Sequence, residues 1–208
     1  MRSLKVLGIV GFAAAMTGCV PEWARENETG IIMEVAGITG EPGAPGIEAG
    51  DILHSDVTPV FNDNAIVTVN VYRKNPNVDA TSPLEHVRLE SYQVRFFRTD
   101  GHSVEGVDVP HRITGPLNSL RFHTPTGTGE LEIDAVVTVV RHQAKLEPPL
   151  VNLTAFLISD TTGTPLLAGQ GIISAVAEIT IYARQVTTGE PLSASGRMQV
   201  TFANFANE

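Results

Sequence analysis

Beyond residue 50 the chain alternates. Val67, Val69 and Val71 interleave with Thr68, Asn70 and Tyr72, the two-residue period of a strand with one buried face. Tyr92, Val94 and Phe96 repeat the pattern against Ser91, Gln93 and Arg95, and Leu131, Ile133, Ala135, Val137 and Val139 sustain it opposite Glu132, Asp134 and Thr138. Ala177, Ile179, Ile181 and Ala183 alternate with Glu178, Thr180, Tyr182 and Arg184, and Met198, Val200 and Phe202 with Gln199 and Thr201. These stretches predict five strands. Weaker runs at Ile52–Pro59, Leu117–His123 and Val151–Ile158 bring the expected total to about seven or eight. No long window carries the i, i+3, i+4 spacing of an amphipathic helix with caps.

Turn chemistry separates the strands. Asn62-Asp63-Asn64 precedes the first, Asn75-Pro76-Asn77 follows it, Asp100-Gly101 closes the second, and Thr188-Gly189-Glu190-Pro191 joins the last two as a hairpin. Connections this short suit antiparallel neighbours and not parallel crossovers. The expected body, residues 51–208, is therefore an all-β antiparallel sandwich, and its architecture resembles the immunoglobulin-like class without that class's Cys and Trp marks. A closed barrel is the alternative.

The first eighteen residues read differently. Arg2 and Lys5 precede the apolar run Val6–Met16, and the small pair Thr17-Gly18 leads directly into Cys19, the chain's single cysteine. Positive, then apolar, then small is the layout of a secretory signal. The run rises only about 16 Å as a helix, roughly half the hydrocarbon thickness, so it is too short to span. Met16-Thr17-Gly18-Cys19 resembles the lipobox of bacterial lipoproteins, departing from it only in Met16, where a branched aliphatic residue is usual. That resemblance implies cleavage after Gly18 and fatty acyl chains, of the palmitate type, on Cys19. Two or three chains hold a protein on a membrane where one would exchange. Under the same resemblance Val20, standing where Asp marks inner-membrane retention, implies the outer membrane of a double-membraned cell.

Residues 19–50 read as a lipidated N-terminus and a Gly-, Pro- and Glu-rich tether, with Ile31–Val35 offering one short edge strand. The formal charge is −9, with 14 basic and 23 acidic residues, and no cluster of Lys or Arg builds a phosphate-binding patch. That balance excludes nucleic acid as a partner and keeps the body off anionic headgroups.

Candidate chemistry is sparse. The histidines at 54, 86, 102, 111, 123 and 142 form no HxH, HExxH or helical pair, so no metal site is expected. There is no GxSxG, and Ser193-Ala194-Ser195-Gly196 falls within strand pattern and not at a nucleophile turn, so no catalytic residue and no cofactor is assigned. In a bacterial lipoprotein, which the lipobox resemblance implies, the sequons at Asn27 and Asn152 carry no weight.

Two features remain as candidates for ligand binding. Asp100, Glu105 and Asp108 share one glycine-containing loop, with Asp51, Asp56 and Asp63 grouped earlier, a supply of oxygen ligands that calcium sites use, although the spacing is not that of an EF-hand. Arginines at 73, 95, 98, 141, 184 and 197 fall on or at the ends of the strongest strands, where cross-strand pairing with Glu132, Asp134 and Glu178 is the structural expectation. Arg95, Arg184 and Tyr182, with Tyr72 and Phe97, also fit a face that recognises acidic glycan groups. The sequence thus leads to a non-enzymatic, lipid-anchored envelope protein, an interaction or structural module with an envelope protein as partner. A glycan- or calcium-binding module is the alternative.

Overall fold

The computed structural model of the chain describes residues 30–41, 50–58, 61–74, 86–117, 121–122, 131–154, 171–186 and 188–204. The signal segment, Cys19, most of the tether, Asn27 and His123 lie outside these residues.

The described residues form β1 (Ile31–Gly40), β2 (Ile52–Asp56), β3 (Asp63–Arg73), β4 (Val87–Arg98), β5 (Ile113–Pro116), β6 (Arg121–Phe122), β7 (Leu131–Val140), α1 (His142–Lys145), α2 (Val151–Thr154), β8 (Ile173–Gln185) and β9 (Pro191–Ala203). The fold is all-β, in two sheets. One has the order β1-β3-β7, and the other β2-β9-β8-β4-β5 with β6 also on β4. Each of the five expected strands turns its apolar set inward. Val67, Val69 and Val71 of β3 and Ile133, Ala135 and Val137 of β7 join Tyr92, Val94 and Phe96 of β4, Ile179 and Ile181 of β8, and Val200 and Phe202 of β9 in one buried core. Phe96 and Phe202 meet edge to face there, with ring centroids 5.8 Å apart.

Four details depart from the sequence reading. Residues 31–40, assigned to the tether, form a ten-residue strand paired with β3 along its length. Its inward side chains hold it there: Val35 and Ile38 press on the backbone of β9 so closely that a Cβ on Gly196 would lie 2.7 Å from Val35 Cγ1. The pairing is not antiparallel throughout, because β2 runs parallel to β9. Short connections forbid parallel neighbours only when those neighbours are consecutive, and these two are the second and the last strands. Val151–Ile158 begins as helix α2 and not as strand. Leu150 and Leu153, one turn apart, are both buried, and the N–H groups of 151–153 bond back to Glu147, Pro149 and Leu150. Finally, the strand expected at Leu117–His123 begins earlier, as β5, with Ile113 inward opposite Val94, and among the described residues Arg121–Phe122 follows as β6.

Among the described residues, polar contacts at two places fasten one sheet to the other. Along one edge the Tyr92 hydroxyl of β4 accepts the backbone N–H of Thr138 in β7 at 3.1 Å, which gives that edge strand a partner from the opposite sheet. Gly115 makes room for this ring, since a Cβ there would lie 2.5 Å from Tyr92 Cε1. Beside it, Arg141 donates to the Thr114 carbonyl at 2.6 Å.

The second contact is a buried polar cluster at the end of the sandwich where β2 and β7 finish and β3 begins. Lys145 Nζ of α1 lies 3.0 Å from Asp63 Oδ1, and both side chains are 1% exposed. Ser55 of β2 donates to Asp63 Oδ2 at 2.5 Å. Asp56, equally buried, accepts the N–H and the hydroxyl of Thr58 and ends β2 as a turn. Burial pushes the Asp63 carboxyl above its ordinary 3.8, against the Ser55 hydrogen bond and the charge of Lys145, with Asp56 adding to the rise.

Two substitutions test these fastenings. Tyr92→Phe leaves the Thr138 N–H without its acceptor and is expected to cost about 1–3 kcal/mol in urea unfolding. Lys145→Met strands a buried carboxyl, at an expected cost of about 3–5 kcal/mol at neutral pH. Without the cation the Asp63 carboxyl titrates higher still. A raised folded-state pKa stabilises fully below the unfolded value of 3.8 and loses that contribution as pH climbs through the folded value, so the deficit should shrink in acid and widen toward neutrality.

Candidate interaction surface

The outward positions of the larger sheet line up in rows across its strands. Arg95 of β4 lies opposite Glu178 of β8, which lies opposite Arg197 of β9. One row along, Thr114, Gln93, Thr180 and Ser195 cross β5, β4, β8 and β9, and the Thr180 and Ser195 hydroxyls are 2.8 Å apart. The next row is Pro116, Ser91, Tyr182 and Ser193. Beyond it Arg88 and Arg184 lie directly opposite each other. Two like charges in register repel, and a bulge between Leu89 and Ser91 supplies the remedy by inserting Glu90 on their side.

Each glutamate on this face serves two arginines or sits between two. Glu90 takes Arg88 at 2.6 Å and Arg184 at 3.2 Å, while Arg184 also donates to the Gly189 carbonyl at 2.6 Å. The Arg88 hydrogen bond, followed by that of Arg184, outweighs burial and holds the Glu90 carboxyl below its ordinary 4.5. Arg197 grips Glu178 through two nitrogens, at 2.9 and 2.7 Å, yet its side chain stays 70% exposed. Arg95 lies over the Phe97 ring at 5.2 Å. The strands of this face therefore present Arg88, Arg95, Arg184 and Arg197 against Glu90 and Glu178, an excess of positive charge.

The opposite face of the molecule has the reverse sign. Outward strand positions of the smaller sheet carry Glu34, Glu132 and Asp134, with no base among the described ones. Tyr72 donates to Glu34 at 3.0 Å and Thr68 to Asp134 at 2.8 Å. A chain whose net charge is strongly acidic thus gathers four arginines onto one sheet face.

The residues expected from sequence divide between this face and a loop. Arg95, Arg184 and Tyr182 all lie on the arginine face, Tyr182 one row from Arg184, and Arg95 toward the other end of β4 with Phe97 beside it. Tyr72 is on the other sheet, and Arg73 turns inward and is buried. Asp100, Glu105 and Asp108 lie in the β4–β5 connection, each already engaged. Asp100 takes Arg98, whose hydrogen bond holds its carboxyl below 3.8, and it also accepts the N–H of His102. Glu105 pairs with Arg112 at 3.2 Å, and although burial opposes it, the hydrogen bonds from Arg112 and the charges of Arg112 and Arg95 bring its carboxyl below 4.5. Asp108 accepts the Val104 N–H at 3.0 Å. Among the described residues no three His, Cys, Asp or Glu side chains gather to hold a metal.

Arg88, Glu90 and the hydroxyl rows were not singled out in sequence. The Arg88-x-Glu90 spacing places both on one face of a regular strand, but the bulge that fixes their geometry leaves no sequence mark. Ser193 and Ser195 project from this face of β9 as strand residues.

Fold and surface together define an all-β, two-sheet body with one arginine-bearing polar face. No family model and no curated protein matches the chain. One solved structure, described as "X-ray structure of Northeast Structural Genomics Consortium target SoR45", is similar over 82% of this chain and 86% of its own, with 9% identity and a TM-score of 0.30. A likeness that faint says nothing about what the protein does.

Glu90→Gln tests the geometry of the face, because it leaves Arg88 and Arg184 confronting each other. A lowered carboxyl contributes stability above 4.5 that is lost as pH falls through the folded value, so the variant should trail the parent at neutral pH, by up to about 1 kcal/mol, and match it in acid. Thermal melts across that pH range at low salt read the difference.

Proposed function

We propose that the chain is a lipid-anchored envelope protein whose immunoglobulin-like body is a non-enzymatic interaction module, accessory to a larger envelope assembly, and that its arginine face docks an acidic envelope partner. The observation that carries the reading is the sign of that face. Four arginines stand on one sheet of a chain with net charge −9, where exposed arginine beside Tyr182 and Phe97 has the composition of a contact surface. The anchor is supported by the signal-like start and by the place of Cys19, and the lipid holds in place a body that anionic headgroups would repel.

The direction of the strands suits this arrangement. β1 starts at Ile31, about a dozen residues beyond Cys19, and runs toward the end of the sandwich that holds the β2–β3 and β4–β5 connections. A ten-residue strand spans about 33 Å, so those loops stand that far out from the tethered end. The arginine face then lies side-on to the membrane, open to a neighbour anchored in the same layer.

A second reading has its own observation. The hydroxyl and amide row Thr114, Gln93, Thr180 and Ser195 lies between the two arginine groups, and this is the polar, cationic surface an acidic glycan would fill.

Crosslinking in cells, followed by identification of attached chains, separates the two. The expected result is a protein adduct that forms with the parent and is lost when Arg95, Arg184 and Arg197 are together replaced by Glu. Retention on an acidic glycan array with no protein adduct would favour the second reading. Membrane fractionation tests the anchor independently, because Cys19→Ser should move the chain to the soluble fraction.

A further inference from the structure

From the contact between Lys145 and Asp63 we infer that these two side chains condense into an amide, a covalent strut joining the end of α1 to the start of β3 inside the core. Nucleophile and electrophile already touch, with Nζ and Oδ1 3.0 Å apart, both side chains 1% exposed, and 82 positions separating them in the chain. Held contact of this kind turns a slow bimolecular reaction into an intramolecular one.

The surroundings suit the neutral forms that the reaction needs. An ammonium and a carboxylate taken wholly out of water suffer a desolvation penalty that transfer of one proton between them relieves. Burial shifts the Asp63 carboxyl in that direction, and the nearby buried carboxyl of Asp56 shifts it further. Ser55 holds the other oxygen, Oδ2, with a 2.5 Å hydrogen bond and is placed to stabilise negative charge there when the carbon becomes tetrahedral.

The step balances without any co-reactant. The Lys145 ammonium passes one proton to Asp63 Oδ1, and the neutral Nζ attacks Cγ, forming the C–N bond. A second proton leaves nitrogen for Oδ1, the Cγ–Oδ1 bond breaks, and water departs. Oδ2 remains as the amide oxygen, one hydrogen remains on nitrogen, and nothing is oxidised or reduced. A chain with one cysteine has no internal disulfide, and this bond would close the loop from β3 to α1 in its place.

Peptide mass mapping of the full chain, denatured before tryptic digestion, decides the matter. The expected result is a branched species joining the peptide 26–73 to 142–184, uncut after Lys145 and lighter than the two together by one water. Recovery of 26–73 unmodified, with normal cleavage after Lys145, would overturn the proposal. Lys145→Arg keeps the charge and lacks the amine, so its digest should contain no branched species. Persistence of a water-deficient branch in that variant would place the bond elsewhere and equally refute the assignment.

Discussion

Three elements meet at one buried carboxyl, two of them neighbours in the chain and the third 82 positions further on. Asp63 opens β3, Ser55 belongs to β2 in the other sheet, and Lys145 closes the short helix after β7. Neither side chain reaches water, each being 1% exposed, so this end of the sandwich is joined by a contact made wholly inside the core. Burial opposes the charged forms while the hydrogen bonds favour them, and burial prevails at Asp63. The packing of β2 against β3, and the return of the chain after β7, both pass through this point.

The remaining tertiary order is set by apolar packing and by the fate of edge strands. β7 ends the smaller sheet, and there a tyrosine from the larger sheet receives one of its free N–H groups. β1 ends that sheet on the other side, and its Val35 and Ile38 sit on the bare backbone of β9 at Gly196. Small residues at these two crossings, Gly115 and Gly196, let one layer approach the other closely enough for the core to close.

The outer surfaces have separate logic. Ion pairs that remain wet are individually weak, and the Arg–Glu groups on the larger sheet contribute little to folding. Their effect is on the field: one face positive, the other negative, on a chain that is acidic overall. Such polarity selects partners and their orientation more than it adds affinity, which is why the face is a candidate for recognition.

Sequence alone determined the all-β class, the inward side of every strong strand, the hairpin between β8 and β9 and the turn after β4, because a period of two and turn chemistry are local properties. It also placed Arg95, Tyr182 and Arg184 outward. Tertiary structure decided the rest: that residues 31–40 belong to a sheet, that β2 lies parallel to β9, that the loop acids are occupied by neighbouring arginines and backbone, that a bulge at Glu90 reconciles two facing arginines, and that Lys145 is buried against Asp63. Each of these depends on which segments lie side by side, and the free energy that selects those neighbours comes from contacts between residues far apart along the chain, which no local pattern encodes.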